Sequence, residues 1–386
     1  MVEFTVLGNA VIQELLLGLS TDDITYFLKE LENTLIAYSY GEERQYQPDA
    51  GIINRPGGQK ILFRPFASSS TVGTKIIVHP APISEASEAS SGTEQKASAS
   101  MQTNQSPLHG TMVLCDKYGH PTGFLNAEEV TGYRTTLSAM IPYVHRRRTD
   151  KIIVFGAGKQ ALWHSRLALA LRGAEITSIT IVNRSEVRAQ ELIETMKEEN
   201  AIRWSSPCQF RFLNSSQDDA QEKLRSCLAE ADVIFCTVAS QQPLFTLEAL
   251  GLKKRQGIYP LITAVGSWQP DMIEVHPAIL RHITSSNGLN ANGATTGAIL
   301  VDDAEAALRH SGEIVQSGLT KTQMLEIGHI LCWERNSELT RDQNMWLGTG
   351  LVVYKSIGVS MTDLAAGNSI LALAEKKNLG TRVCGF

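Results

Sequence analysis

The chain has 386 residues, 43% hydrophobic and 19% charged, enough apolar material for two or three packed domains and too much for a disordered polymer. Its 35 basic and 40 acidic residues leave a net charge of −5, so no global positive field exists to hold nucleic acid or anionic lipid. No apolar run approaches the ~20 residues that span a bilayer, and Met1-Val2-Glu3-Phe4 lacks the basic and apolar stretches of a secretion signal. The cysteines at 115, 208, 227, 236, 332 and 384 form no C-x-x-C pair, which argues against a metal site and a disulfide framework and for a reducing, cytoplasmic setting.

The first predicted element is a helix. Ser20-Thr21-Asp22-Asp23 can cap a run from Ile24 to Tyr38 with Phe27, Leu28, Leu31 and Leu35 at helical spacing. Pro48, Pro56, Gly57 and Gly58 mark turns around strands at Lys60–Phe63 and Lys75–Val78. From 81 to 107 the chain is rich in Ser, Ala, Glu, Gln and Thr, a composition that cannot offset its ordering entropy and reads as a disordered insertion. Order resumes with a hairpin, Thr111–Cys115 and Thr122–Leu125 around Asp116-Lys117-Tyr118-Gly119. A helix from Ala127 to His145 follows, closed by Arg146-Arg147-Arg148 as a solvated basic end that complements the helix dipole.

From Lys151 strands and helices alternate, the pattern of a parallel sheet. The apolar run Ile152-Ile153-Val154-Phe155 leads into Gly156-Ala157-Gly158-Lys159-Gln160-Ala161, then a helix to Gly173 and a second strand at Ile179–Val182. Gly156 suits the tight turn, Gly158 lets backbone approach a pyrophosphate, and Ala161 is small enough for helix and strand to pack. The helix N-terminus then offers unpaired N–H groups to the phosphates. After the second strand, the carboxylate that accepts from ribose hydroxyls in NAD sites is replaced by Asn183-Arg184-Ser185, with Arg188 one turn on. Arginines and a hydroxyl suit a 2′-phosphate, so the expected cofactor is NADP(H). Val233–Val238 brings Thr237 and Val238 to a strand's carboxyl end, and Leu261–Val265 does the same for Val265, Gly266 and Ser267. Such ends line the ligand crevice of open α/β sheets.

These blocks resemble the ornithine cyclodeaminase/mu-crystallin family. The likeness runs from about Ile53 to Gly380 and rests on Gly73-Thr74-Lys75, Tyr133-Arg134-Thr135-Thr136 and the glycine loop. It continues through Ala264-Val265-Gly266-Ser267 with Pro270-Asp271, Val301-Asp302-Asp303, and Tyr354–Val359 with Asp363-Leu364-Ala365-Ala366. The resemblance implies an α/β fold: a Rossmann dinucleotide-binding domain, here 149–327, inserted in an α+β substrate-binding and dimerisation domain of 1–148 plus 328–386. On that plan the strand-like run Leu351–Val359 lies outside the nucleotide core, and the protein is a homodimer. The family pattern puts Lys75 and Arg134 on the substrate carboxylate as catalytic and binding cations. It also sets Thr135, Ser356 and Gly358 against the cofactor and Trp268 as a pocket wall. Asp302 and Asp303 read locally as caps of a helix starting near Ala304.

The departures decide the branch. A family arginine would align near Ala50 or Gly51, with Arg55 or Arg64 as candidate replacements. The glutamate and the aspartate used by cyclodeaminases would align near Leu62 and at Trp268, and both are absent. Without that aspartate, deamination lacks its general base. The mu-crystallin branch, whose members reduce ketimines, shares both absences and the Asn-Arg pair. The expected function is therefore reduction by NADPH of a small carboxylate-bearing imine, linear or cyclic. An amino-acid dehydrogenase, a cyclodeaminase-like activity, and a catalytically weak NADP-binding protein of mu-crystallin type are the alternatives.

Overall fold

The computed structural model describes residues 3–56, 58–79, 109–217, 220–267, 269–285 and 297–386. The expected insertion at 81–107 and Trp268 lie outside the described residues. The chain divides into two compact units: Met1–Gly18, Gln45–Thr131 and Ala366–Phe386 form one, Leu19–Arg44 and Gly132–Ala365 the other.

A strand, β1 (Glu3–Leu7), and a helix, α1 (Asn9–Leu17), precede the helix expected first. That helix, α2 (Thr21–Tyr40), starts at a capping box in which Ser20 and Asp23 satisfy each other's backbone N–H, and it buries the expected apolar stripe. Five strands follow: β2 (Gly51–Asn54), β3 (Lys60–Ala67), β4 (Thr71–His79), β5 (His109–Asp116) and β6 (Pro121–Asn126). Next, α3 (Ala127–Val144) passes from the first unit into the second at Gly132.

The second unit then runs β7 (Lys151–Phe155), α4 (Lys159–Arg172), β8 (Ser178–Asn183), α5 (Glu186–Glu199), β9 (Gln209–Asn214), α6 (Ala220–Glu230), β10 (Val233–Cys236) and β11 (Leu261–Ala264). It continues with α7 (Pro277–Thr284), β12 (Ile299–Val301), α8 (Ala304–His310), α9 (Gly312–Ser317), β13 (Met324–Glu326), α10 (Ile327–Arg335), α11 (Arg341–Thr349) and β14 (Val352–Lys355). All strand pairs here are parallel, in the order β13-β12-β14-β11-β10-β7-β8-β9. The expectation for Leu351–Val359 fails: β14 lies inside the nucleotide sheet, between β11 and β12. Its four residues are all buried, as a strand covered on both faces requires.

Two smaller corrections follow from burial. Arg146 is not solvated; it is buried and donates to the carbonyls of Leu347, at 2.7 Å, and of Tyr259. Burial pushes its guanidinium down to about 10. Of the two aspartates read as caps, only Asp303 caps α8, accepting from the N–H groups of Glu305 and Ala306.

The chain returns to the first unit along α12 (Ser360–Lys376) and ends in β15 (Thr381–Cys384). The seven-stranded sheet has the order β15-β1-β6-β5-β4-β3-β2. One face buries Leu62, Phe66, Ile77, Met112 and Leu125. Gly123 and Gly367 let α12 approach that face, since an added Cβ would meet Leu371 at 2.4 Å and Leu114 at 3.0 Å.

Candidate functional site: the carboxyl edge of the parallel sheet

The β7–α4 turn has the stereochemistry of a phosphate cradle. Gly156 holds φ +108°, and a Cβ there would press on Thr237 Oγ1 at 2.8 Å, so the turn requires glycine. Gly158 caps α4 with no side-chain bond, and no atom lies within 4 Å of where its Cβ would be. Open space over a bare helix N-terminus is what a pyrophosphate needs, so these residues fit a dinucleotide. Ala157, Lys159 and Gln160 line the turn half-buried, and Ala161 packs fully buried beneath it. On the adjacent strand Thr237 closes the turn by donating to the Phe155 carbonyl at 2.6 Å.

At the end of β8, Asn183 donates its amide to the Ser185 carbonyl at 2.8 Å, and Ser185 caps α5 by accepting from the Arg188 N–H. Arg184, Ser185 and Arg188 are exposed, and Arg184 pairs with no carboxylate among the described residues. No acidic side chain stands in the Asn183-Arg184-Ser185 turn.

At the carboxyl ends of β10, β11 and β14 lies a buried network the sequence did not reveal. Glu274 accepts the N–H groups of Val238 at 2.8 Å, Gly266 at 2.7 Å and Ser267 at 3.1 Å. Lys355 sends its ammonium to the Ser267 carbonyl at 2.6 Å and hydroxyl at 2.5 Å, with Glu313 at 3.4 Å and Glu274 at 4.0 Å. The Ser267 hydroxyl donates on to Glu313. Ser267 is wholly buried, so its expected direct contact with the cofactor is corrected: its side chain faces inward and only its backbone shapes the loop. Val265 and Gly266 remain half-buried at the edge.

Beyond β14, the Asp302 carboxylate accepts from Ser356 Oγ at 2.7 Å and from the N–H groups of Ile357 at 2.9 Å and Gly358 at 2.7 Å. These donors, expected to face the cofactor, are committed to Asp302; the residues can contribute only their remaining surface. Burial raises the Asp302 carboxyl against the three donors that lower it.

Arg134 is 4% exposed on α3 and donates from Nε to Asp363 at 2.7 Å, itself wholly buried. That pairing leaves the terminal nitrogens of the guanidinium with no other partner among the described residues. Thr135 is buried beside it. Thr136 reaches His164 Nδ1 at 3.0 Å, and burial pushes that imidazole down to about 4, so it stays neutral near pH 7. Gly132 brings α3 against α4, because a Cβ there would meet Trp163 at 2.6 Å.

In the other unit, Lys75 is fully buried on β4, its ammonium 3.4 Å from the Thr131 hydroxyl. Arg64 stands directly across from it in register. Arg55 is exposed in the β2–β3 turn, where its N–H donates to the Gln59 carbonyl. Four residues of β3, about 13 Å of strand, separate that end from Arg64. The structure therefore does not bring Arg55 beside Lys75; it brings Arg64. Among the described residues no group of His, Cys, Asp and Glu could hold a metal, and no helix is long and apolar enough to cross a membrane.

A parallel sheet with a glycine cradle at a strand end and helices on its faces defines a Rossmann-type dinucleotide-binding protein. A profile of the shikimate/quinate 5-dehydrogenases matches residues 142–263, the stretch from the end of α3 to β11. A Dictyostelium discoideum protein described as an uncharacterized cyclodeaminase is 27% identical over 71% of this chain and 72% of its own. The ketimine reductase mu-crystallin of Macropus fuliginosus is 22% identical over 69% of this chain and 70% of its own. Among solved structures, the Thermococcus litoralis Δ1-pyrroline-2-carboxylate reductase, in complex with NADH and L-proline, superposes with a TM-score of 0.71 at 16% identity, covering 98% of this chain and all, 100%, of that one. An archaeal alanine dehydrogenase dimer with bound NAD gives 0.68 at 17% identity over 100% of both chains. The chain has the fold of the ornithine cyclodeaminase/mu-crystallin family.

Proposed function

We propose that this protein is an NADP(H)-dependent oxidoreductase that reduces the C=N bond of a small imine bearing a carboxylate. Arg134 carries the proposal: a buried guanidinium fixed through Nε, with its terminal nitrogens left over, is built to grip a carboxylate bidentately. The glycine cradle and the exposed Arg184 and Ser185 are the groups that would hold the dinucleotide, with Arg188 beside them. When bound, the nicotinamide supplies hydride; the chain supplies proximity and a defined orientation of the substrate. Lys75, with Arg64 opposite, keeps its proposed role as a second cation for the acid group. No general base is required, because a protonated iminium is already electrophilic.

The test is a panel of cyclic imino acids and keto-acid plus amine pairs, assayed with NADPH and NADH in parallel. Oxidation of NADPH by at least one member is expected. Silence across the panel, with dinucleotide still bound, would leave a binding protein in place of an enzyme.

Coenzyme choice has its own check. Arg184→Ala removes one charged hydrogen bond, about 1.5–3 kcal/mol, so NADPH binding should weaken roughly 10- to 150-fold. NADH binding should hold within twofold. Equal losses for both would contradict the 2′-phosphate assignment.

A homodimer is part of the same proposal. The sheet face opposite Lys75 and Met112 carries Ile53, Phe63 and Phe124, which are 44%, 37% and 39% exposed. Register sets Phe63 across from Ile76 and Phe124 across from Val113, so the apolar surface is continuous over several strands. A second copy of the chain would cover it. Light scattering should give twice the 42.2 kDa chain mass, and Phe63→Asp with Phe124→Asp should give the single mass. A monomeric wild type would end this part of the proposal.

A further inference from the structure

Glu274, Lys355 and Glu313, with Ser267, form a cluster of buried ionisable groups in the second unit. Their relative exposures are 0%, 1%, 1% and 0%. The groups come from four places in the chain. Glu274 precedes α7, Lys355 ends β14, Glu313 lies on α9 and Ser267 follows β11. Two carboxylates against one ammonium leave a net negative charge in the interior, a costly arrangement for a chain that needed only packing there. The geometry shows what the surplus carboxylate does. Glu313 is already answered by Lys355 and the Ser267 hydroxyl, whereas Glu274 turns its two oxygens on backbone N–H groups from two separate loops. Oε1 holds Val238 after β10; Oε2 holds Gly266 and Ser267 after β11. The close fit is visible at Gly266, where an added Cβ would meet the Val238 carbonyl at 2.5 Å and Glu274 itself at 2.6 Å.

We propose that Glu274 is a positioning residue: its carboxylate, steadied by Lys355, staples the β10 and β11 exit loops together and so shapes the crevice floor on which the dinucleotide lies. The inference rests on the dinucleotide reading for its consequence, but the staple itself does not. Only the ionised form accepts on both oxygens; a protonated carboxyl turns one of them into a donor facing an N–H. Burial pushes Glu274 up to about 7, opposed by Lys355 and reinforced by Glu313, and Cys236 on β10 is the other titratable group beside it. The staple therefore opens as pH falls from 8 to 6. The fold bears the cost of keeping the charge buried above the carboxyl's ordinary range, so removing that charge should not destabilise it.

Glu274→Gln is the test, because glutamine keeps the shape and aims a donor at one of the loops. Three readouts are expected together. Thermal stability holds or rises. Amide exchange in the segments around Val238 and Gly266 speeds up at least tenfold at pH 8. NADPH affinity falls about tenfold at pH 8 and loses the pH dependence that the wild type shows between 6 and 8. Unchanged exchange in both segments at pH 8 would overturn the staple, whatever the affinity does. Faster exchange with no dinucleotide bound even by wild type would keep the staple and remove the dinucleotide reading instead. Glu313→Gln serves as comparison: it touches neither loop's N–H groups, and its exchange profile at Val238 should match wild type.

Discussion

Arg134→Ala should lower kcat/KM for a carboxylate-bearing imine by roughly 150- to 25,000-fold, the loss of a bidentate pair whose charged hydrogen bonds contribute about 1.5–3 kcal/mol each. The same change takes the Arg134 Nε donor, at 2.7 Å, away from Asp363, which is wholly buried. Breaking a buried ion pair by removing one member costs up to roughly 3–5 kcal/mol, so the single variant will also unfold earlier. The two effects can be separated. In Arg134→Ala with Asp363→Asn the carboxylate of the broken pair is neutral, and part of the stability should return. Turnover should not return, since nothing in the pair of substitutions restores a cation. A double variant that recovers both would reduce Arg134 to a structural partner of Asp363. Arg134→Lys sits between: it keeps the charge and loses the fork, and an intermediate loss dominated by KM is expected.

What the sequence disclosed and what it hid follow from how local each feature is. The α2 cap, the β7–α4–β8 unit and the α3 helix are written in contiguous residues: Ser20 with Asp23, the apolar run ahead of Gly156, the helical spacing after Ala127. Local physics decides these, and they are legible in the sequence. Val352–Lys355 shows in sequence only that a strand is buried, never between which neighbours it inserts, and its place between β11 and β12 is set by pairing alone. β1 has the same dependence: its five residues gain their strand character from pairing with β6 and β15, the last two strands of the sheet in chain order. The buried network left a faint local mark. Glu274 interrupts the apolar pair Ile273 and Val275, and Lys355 ends the run Val352-Val353-Tyr354, each a charge where burial was already predictable. A charge that must be buried needs a partner, and that rule points to a network without naming its members. Ser267, expected at the cofactor from its place at a strand end, gives its hydroxyl to that network.

Gly158→Val is expected to abolish dinucleotide binding while leaving the fold nearly intact. The backbone at Gly158 is extended, at φ −103° and ψ −170°, a conformation that valine adopts freely, and no atom lies within 4 Å of the new Cβ. The stability cost is that of a poorer helix N-cap, about 1 kcal/mol, or roughly 2–4 °C in Tm. The empty space above Gly158 is the argument for a ligand, and filling it excludes a phosphate from the α4 N–H groups. Losing two charged N–H bonds at about 1.5–3 kcal/mol each weakens binding roughly 150- to 25,000-fold. Gly156→Ala provides the contrast, because φ +108° and the 2.8 Å approach to Thr237 Oγ1 make it strained before any ligand arrives. Strain of that kind costs about 1–3 kcal/mol, so this variant should lose stability and binding together. Titration calorimetry beside a thermal melt separates the two glycines. If Gly158→Val bound NADPH as tightly as wild type, the turn would be a structural glycine turn, and the dinucleotide would have to be sought elsewhere on the sheet edge.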